Sequence, residues 1–135
     1  MPKSILIPVA LDHETFVARK LEVARSMLDA GGTIHLLTVL ESIPSFVAEF
    51  VTVREENHLS DKVMTKLQDV ANGAAEVQCH VTTGKPGVKI VEFADEHACD
   101  LIILAAHHPG AMDYFLGSTA ARVARRAKAS VLILR

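Results

Sequence analysis

Residues Asp100 to Arg135 read DLIILAAHHPGAMDYFLGSTAARVARRAKASVLILR, and this stretch decides the fold. A short apolar run, Leu101 to Ala106, ends in the loop His107-His108-Pro109-Gly110. Leu116-Gly117-Ser118-Thr119 then opens a segment rich in Ala and Arg, and a second apolar run, Val131 to Leu134, closes the chain. The order is strand, loop, helix, strand. Gly117 allows a ligand to approach the backbone, and Ser118 is placed to cap the helix. A helix start carries free N–H groups and the positive end of the dipole, so it can hold a phosphate. The same residues would serve merely to start a helix.

Working outward, the same alternation repeats. Lys3 to Val9 is an apolar run stopped near Pro8. Phe16, Leu21, Ala24 and Leu28 recur at helical spacing within a helix predicted over 15–30, ended by Gly31-Gly32. Thr33 to Leu40 (TIHLLTVL) is a second strand. The segment 41–57 has no clean period and is long for a loop, which suggests a lid. A helix over 59–72 with Val63, Leu67 and Val70/Ala71 inward, a strand over 75–82, and a helix over 88–97 after Gly84-Lys85-Pro86-Gly87 complete the series. Near-continuous apolar strands separated by amphipathic helices predict an α/β, doubly wound, parallel five-stranded sheet with helices on both faces. Ligands of such sheets bind beyond the carboxyl ends of the strands, at the switch point.

Composition narrows the function. The 135 residues are expected to form one domain, 1–135. Fourteen Lys and Arg against sixteen Asp and Glu leave a net charge of -2, so no basic footprint for nucleic acid is present. No apolar run is long enough to span a membrane, and Met1-Pro2-Lys3 runs straight into Ile5-Leu6-Ile7 without a signal-peptide layout. A cytoplasmic protein is expected. Cys79 and Cys99 lack CxxC spacing and read as reduced packing thiols, not joined to each other.

These residues together resemble the universal stress protein family over essentially the full length. The resemblance rests on Ile5-Leu6-Ile7-Pro8-Val9, His35-Leu36-Leu37-Thr38-Val39, Gly84-Lys85-Pro86, Leu116-Gly117-Ser118 and the tail Ala127 to Arg135. The loop His107-x-Pro109, with Tyr114 ahead of Leu116-Gly117-Ser118, looks closest to the small single-domain bacterial type that includes nucleotide binders. The resemblance implies sheet order 3-2-1-4-5, an adenine nucleotide α-hydrolase-like fold and a homodimer. It implies ATP as ligand, with magnesium. Pro8, Val9, Ala10, Val39, Ala105, His107, His108, Gly110, Gly117, Ser118 and Thr119 then fall at the cofactor-binding positions. The departures matter. Where binders usually carry an acid, this chain has Ala10, with Asp12 the nearest carboxylate, and two phosphate-loop glycines become Ala105 and His108. The alternative is therefore a dimeric interaction or regulatory protein that kept the fold and lost the phosphate pocket.

Other chemistry is weaker. His107 and His108 are adjacent and point to opposite sides in an extended chain, which suits polar loop residues better than chelation. His13, His35, His58, His80 and His97 look dispersed, with His35 and His80 at sheet edges or satisfied internally. Arg122, Arg125, Arg126 and Lys128 read as a solvated basic flank, and Lys85 as a turn lysine. Ser118 has no nucleophile elbow and no assignable base. No conventional enzyme is expected; slow ATP hydrolysis or self-phosphorylation is the most that the residues suggest. Homodimerisation is expected through Val131, Leu132, Ile133 and Leu134, an apolar strand that the family's sheet order puts at an edge.

Overall fold

The computed structural model describes residues 2–10, 14–41, 53–106 and 117–135. Strand β1 is Ser4–Pro8, helix α1 Glu14–Met27, β2 Thr33–Leu40, α2 Val53–Ala71 and β3 Val77–Thr83. Helix α3 follows at Pro86–Glu96, then β4 at Leu101–Ala105, α4 at Ser118–Arg126 and β5 at Ser130–Leu134. All strand pairs are parallel, in the order β3-β2-β1-β4-β5. This is the topology that the family resemblance implied.

Strand alternation divides the core into two layers. Ile5, Ile7, Ile34, Leu36, Leu101 and Ile103 face one side, where they pack with Val17, Leu21 and Ala24 of α1 and Val63 and Leu67 of α2. Leu6, Leu37, Ile102 and Leu104 face the other, against Ile90, Phe93 and Ala94 of α3 and Ala120 and Val123 of α4. Each fully buried Leu or Ile contributes about 1.5–3 kcal/mol of transfer free energy. Both faces are thus covered, which is why the central strands read as unbroken apolar runs.

Asp100 locks the sheet at the strands' amino ends. Its Oδ2 accepts the amides of Lys3 (2.8 Å) and Ser4 (3.0 Å), and its own amide donates to the Ser4 carbonyl (2.8 Å). Cys79 and Cys99 are both free thiols. Cys79 packs on the α1/α2 layer and Cys99 lies within the α3/α4 layer. Burial raises the pKa of each, favouring the inert protonated thiol.

Several boundaries differ from the sequence reading. Helix α2 starts at Val53, so the last part of the expected 41–57 lid is helical backbone, and 42–52 lie outside the described residues. Helix α3 starts at Pro86, two residues earlier than the apolar period suggested. Proline suits the first helical turn because the amide it lacks would have had no intrahelical partner.

The candidate nucleotide site at the β1–β4 switch point

From β1 the chain continues to β2 on one side of the sheet, while β4 leads to β5 on the other, so the switch point lies between β1 and β4. Their carboxyl ends are Pro8 and Ala105.

The end of β1 is held by three bonds. The Val9 amide donates to the Leu37 carbonyl at 2.8 Å, and the Thr38 hydroxyl donates to the Val9 carbonyl at 2.9 Å. The Lys20 ammonium donates to the Pro8 carbonyl at 3.0 Å. Val9 is buried and Ala10 exposed. Val39, at the end of β2, is half-buried and packs on the α3/α4 layer. Val9 belongs to the α1/α2 core layer, whereas Val39 lies on the opposite side of the sheet; Pro8 is also half-buried. Ala10 brings no carboxylate to the end of β1.

Lys20 was missed by the sequence reading. Only 7% of it is exposed, and burial pushes its pKa down to about 8. A signal was available, because Val17, Lys20, Leu21 and Ala24 form one inward stripe at helical spacing.

The end of β4 meets the start of α4 directly. The Ala106 amide donates to the Leu134 carbonyl at 3.0 Å, and the Gly117 amide donates to the Ala106 carbonyl at 2.9 Å. That bond closes the excursion 107–116, so His107, His108 and Gly110 are bracketed by it but lie outside the described residues.

Two expectations need correction here. The N-cap of α4 is Gly117, with Ser118 the first helical residue, and no side chain caps the helix among the described residues. Gly117 therefore offers no free amide, because its N–H is already bonded to Ala106. Donors for an anion must come from the first-turn amides of Ser118, Thr119 and Ala120, which have no intrahelical acceptor. Gly117 has φ -57°, a value open to any residue, and an added Cβ would meet only the Ala106 carbonyl, at 3.8 Å, among the described residues. Neither backbone strain nor crowding in that set requires glycine there.

Charge along α4 suits an anion at its start. The first turn carries no acid, while Arg125 and Arg126 occupy the last turn. Ser118 is exposed and Thr119 half-buried. The basic flank is solvated, as read from sequence: Arg122, Arg125, Arg126 and Lys128 are exposed, and the Arg122 stem lies over Gly87. Lys85 is also exposed, in the turn before α3. Among the described residues no group of His, Cys, Asp or Glu has the arrangement of a metal site.

Three of the five histidines expected to be dispersed, His35, His80 and His97, come together, and the first two satisfy each other internally. His35 is buried on the internal strand β2, not at an edge, and its Nδ1 lies 3.0 Å from Nε2 of His80 on the edge strand β3. His97, the residue that caps α3, stands beside both. None of the three histidines is a position of the nucleotide motif, although His35 precedes Val39 by four residues on β2.

A five-stranded parallel sheet in this order, with a helix starting at its switch point, defines a doubly wound α/β protein of the Rossmann-like type. The model of the universal stress protein family matches residues 1–135, and the chain belongs to that family. Universal stress protein G of Salmonella typhimurium is 28% identical over 144 residues, covering all of both chains. A universal stress protein solved in complex with cAMP has the same fold, with TM-score 0.70 and 22% identity over 99% of this chain and 97% of that one. The universal stress protein of Archaeoglobus fulgidus in complex with dAMP gives TM-score 0.65 and 18% identity, over 98% and 97%. No helix among the described residues is long and apolar enough to cross a membrane.

Proposed function

We propose that the protein is an adenine-nucleotide-binding stress-response module acting as a homodimer. The observation that carries the reading is the N-terminus of α4, fastened to the end of β4, whose first-turn amides have no intrahelical acceptor and no side-chain cap among the described residues. Half-buried Pro8 and Val39, at the ends of β1 and β2, offer apolar surface for a base, and Ser118 and Thr119 supply hydroxyls beside the amides. Structural relatives bound to cAMP and dAMP support the ligand class.

ATP with magnesium is the finer form of the proposal. The free amides fit the anion. The residues described around the site add no carboxylate for the metal, so magnesium would travel with the nucleotide and be held chiefly by its phosphates. The chain's own part is to bind and orient, and turnover is at most slow.

A specific observation keeps the second reading in play. Ala10 is exposed and uncharged, and the Gly117 amide is already spent on Ala106. A dimeric interaction protein without a ligand would share both features. A native mass spectrum of freshly purified protein separates the two. A co-purified adenine nucleotide supports the binding module; bare protein that also gives no complex at millimolar ATP supports the interaction protein.

The dimer would form through β5. That strand ends the sheet, pairs only with β4, and leaves Val131 to Leu134 half-buried. A second copy added about a two-fold axis would pair the free edge.

A further inference from the structure

Three imidazoles from three separate elements meet on the α3 side of the sheet. Centroid separations are 5.2 Å for His35–His80, 5.4 Å for His35–His97 and 5.6 Å for His80–His97. The His97 ring stacks on Phe93 at 3.8 Å with planes 13° apart, and Phe93 meets His80 and His35 edge-on. We propose that His35, His80 and His97 form an acid-sensitive latch, which holds the C-terminal half of α3 on the sheet while the His35–His80 bond stands and releases it as that pair takes up protons.

The His35–His80 contact requires that at least one of those two rings be neutral. Nδ1 of His97 lies 3.0 Å from the Phe93 carbonyl, an acceptor only, so that nitrogen carries the proton. Between His35 Nδ1 and His80 Nε2, one nitrogen donates and the other accepts. One added proton can sit on an outer nitrogen of the pair and leave this bond intact. A second puts N–H against N–H across 3.0 Å and breaks it. The rings also grade from buried His35 through half-buried His80 to exposed His97.

Among the described residues, no ion pair offsets the repulsion. On β2, His35 is the titratable group of the cluster; on β3 it is His80, flanked by Gln78 and Thr82 at the same alternation. Helix α3 carries Glu92, Asp95 and Glu96 near its end. Glu92 pairs with Lys89 at 3.2 Å, while Asp95 and Glu96 are exposed. No ion pair joins a carboxylate to any of the three rings among the described residues. Burial, then the charges of His80 and His97, hold His35 down at about 4; burial, then His97, holds His80 below its ordinary value.

A released His35 titrates near its ordinary value of about 6.5, so between roughly pH 6.5 and pH 4 the open state binds more protons than the closed one. The latch is therefore fully closed above that window and weakens as pH falls through it. The end of α3 is already under local strain, because Ala98 sits at φ 49° directly after His97.

Hydrogen–deuterium exchange at pH 7.5 and pH 5.0, corrected for the intrinsic chemical rate, tests the latch. Protection of the Phe93–Cys99 segment should fall about tenfold more than that of β4 on acidification, and the excess should vanish in the double variant His35→Gln/His80→Gln. If the double variant does not fold, His80→Gln alone, altered on the half-exposed edge strand, should remove at least half of the excess. Parallel loss of protection in α3 and β4 of the parent, or an undiminished excess in the folded variant, overturns the proposal.

Discussion

The amide of Gly117 bonds the carbonyl of Ala106 at 2.9 Å, so the end of β4 and the start of α4 are fastened at one point. The bond uses backbone atoms alone and does not depend on glycine. Position 117 has ordinary dihedrals and open space for a Cβ among the described residues. Gly117→Ala should therefore fold with a stability change within about 1 kcal/mol, the small N-cap loss being offset by reduced unfolded-state entropy. Urea denaturation measures it. A loss of several kcal/mol would mean that glycine is structural there.

Lys20 makes stability depend on alkaline pH. Its ammonium is buried with a pKa of about 8, against about 10.4 in an unfolded chain. Between those values the unfolded state binds more protons, so stability should rise with pH from about 8 to 10, by at most about 1.4 kcal/mol per pH unit. Lys20→Met should flatten this rise. Denaturation series at pH 7.5, 8.5 and 9.5 decide it, and equal slopes in parent and variant would refute the assignment.

Helix α3 ends with a left-handed alanine. The Cys99 amide bonds the Ala94 carbonyl at 2.9 Å and the Ala98 amide bonds the Asp95 carbonyl at 3.3 Å, a Schellman end whose turning residue is normally glycine. Ala98→Gly should stabilise the fold by about 1 kcal/mol, seen as a higher thermal midpoint. A lower midpoint would show that Ala98 earns its place by packing.

The dimer proposal is best tested at Ile133. Leu132 and Leu134 pack on the α1/α2 layer and Val131 on the α3/α4 layer, whereas Ile133 is half-buried and belongs to neither cluster. Ile133→Asp should thus spare the core and halve the sedimenting mass at micromolar concentration. A parent that sediments as a monomer across the accessible range contradicts the edge pairing.

Much of the fold was legible because near-continuous apolar strands can exist only in a covered parallel sheet. Thr33–Leu40 was read to the residue for this reason. Strand order needed the family resemblance, since periodicity does not say which strands are neighbours. Register was beyond reach, and with it the histidine cluster: His35 and His80 stand 45 residues apart, and only the β2–β3 pairing that sets Leu37 opposite His80 brings them together. Lys20 was lost differently, because a lysine on a helix is normally solvated. The site positions Pro8, Val9, Val39, Ala105, Gly117, Ser118 and Thr119 do lie at strand ends or the helix mouth, but the division of labour between Gly117 and Ser118 was reversed.

The central claim is that an adenine nucleotide sits at the mouth of α4. Isothermal titration of ATP with magnesium into the parent and into Gly117→Val tests it most directly. The account predicts measurable binding by the parent and at least about tenfold weaker binding by the variant, whose side chain fills the approach to the first-turn amides while the fold persists. No heat from the parent at millimolar nucleotide, or equal affinity in a folded Gly117→Val, would contradict it.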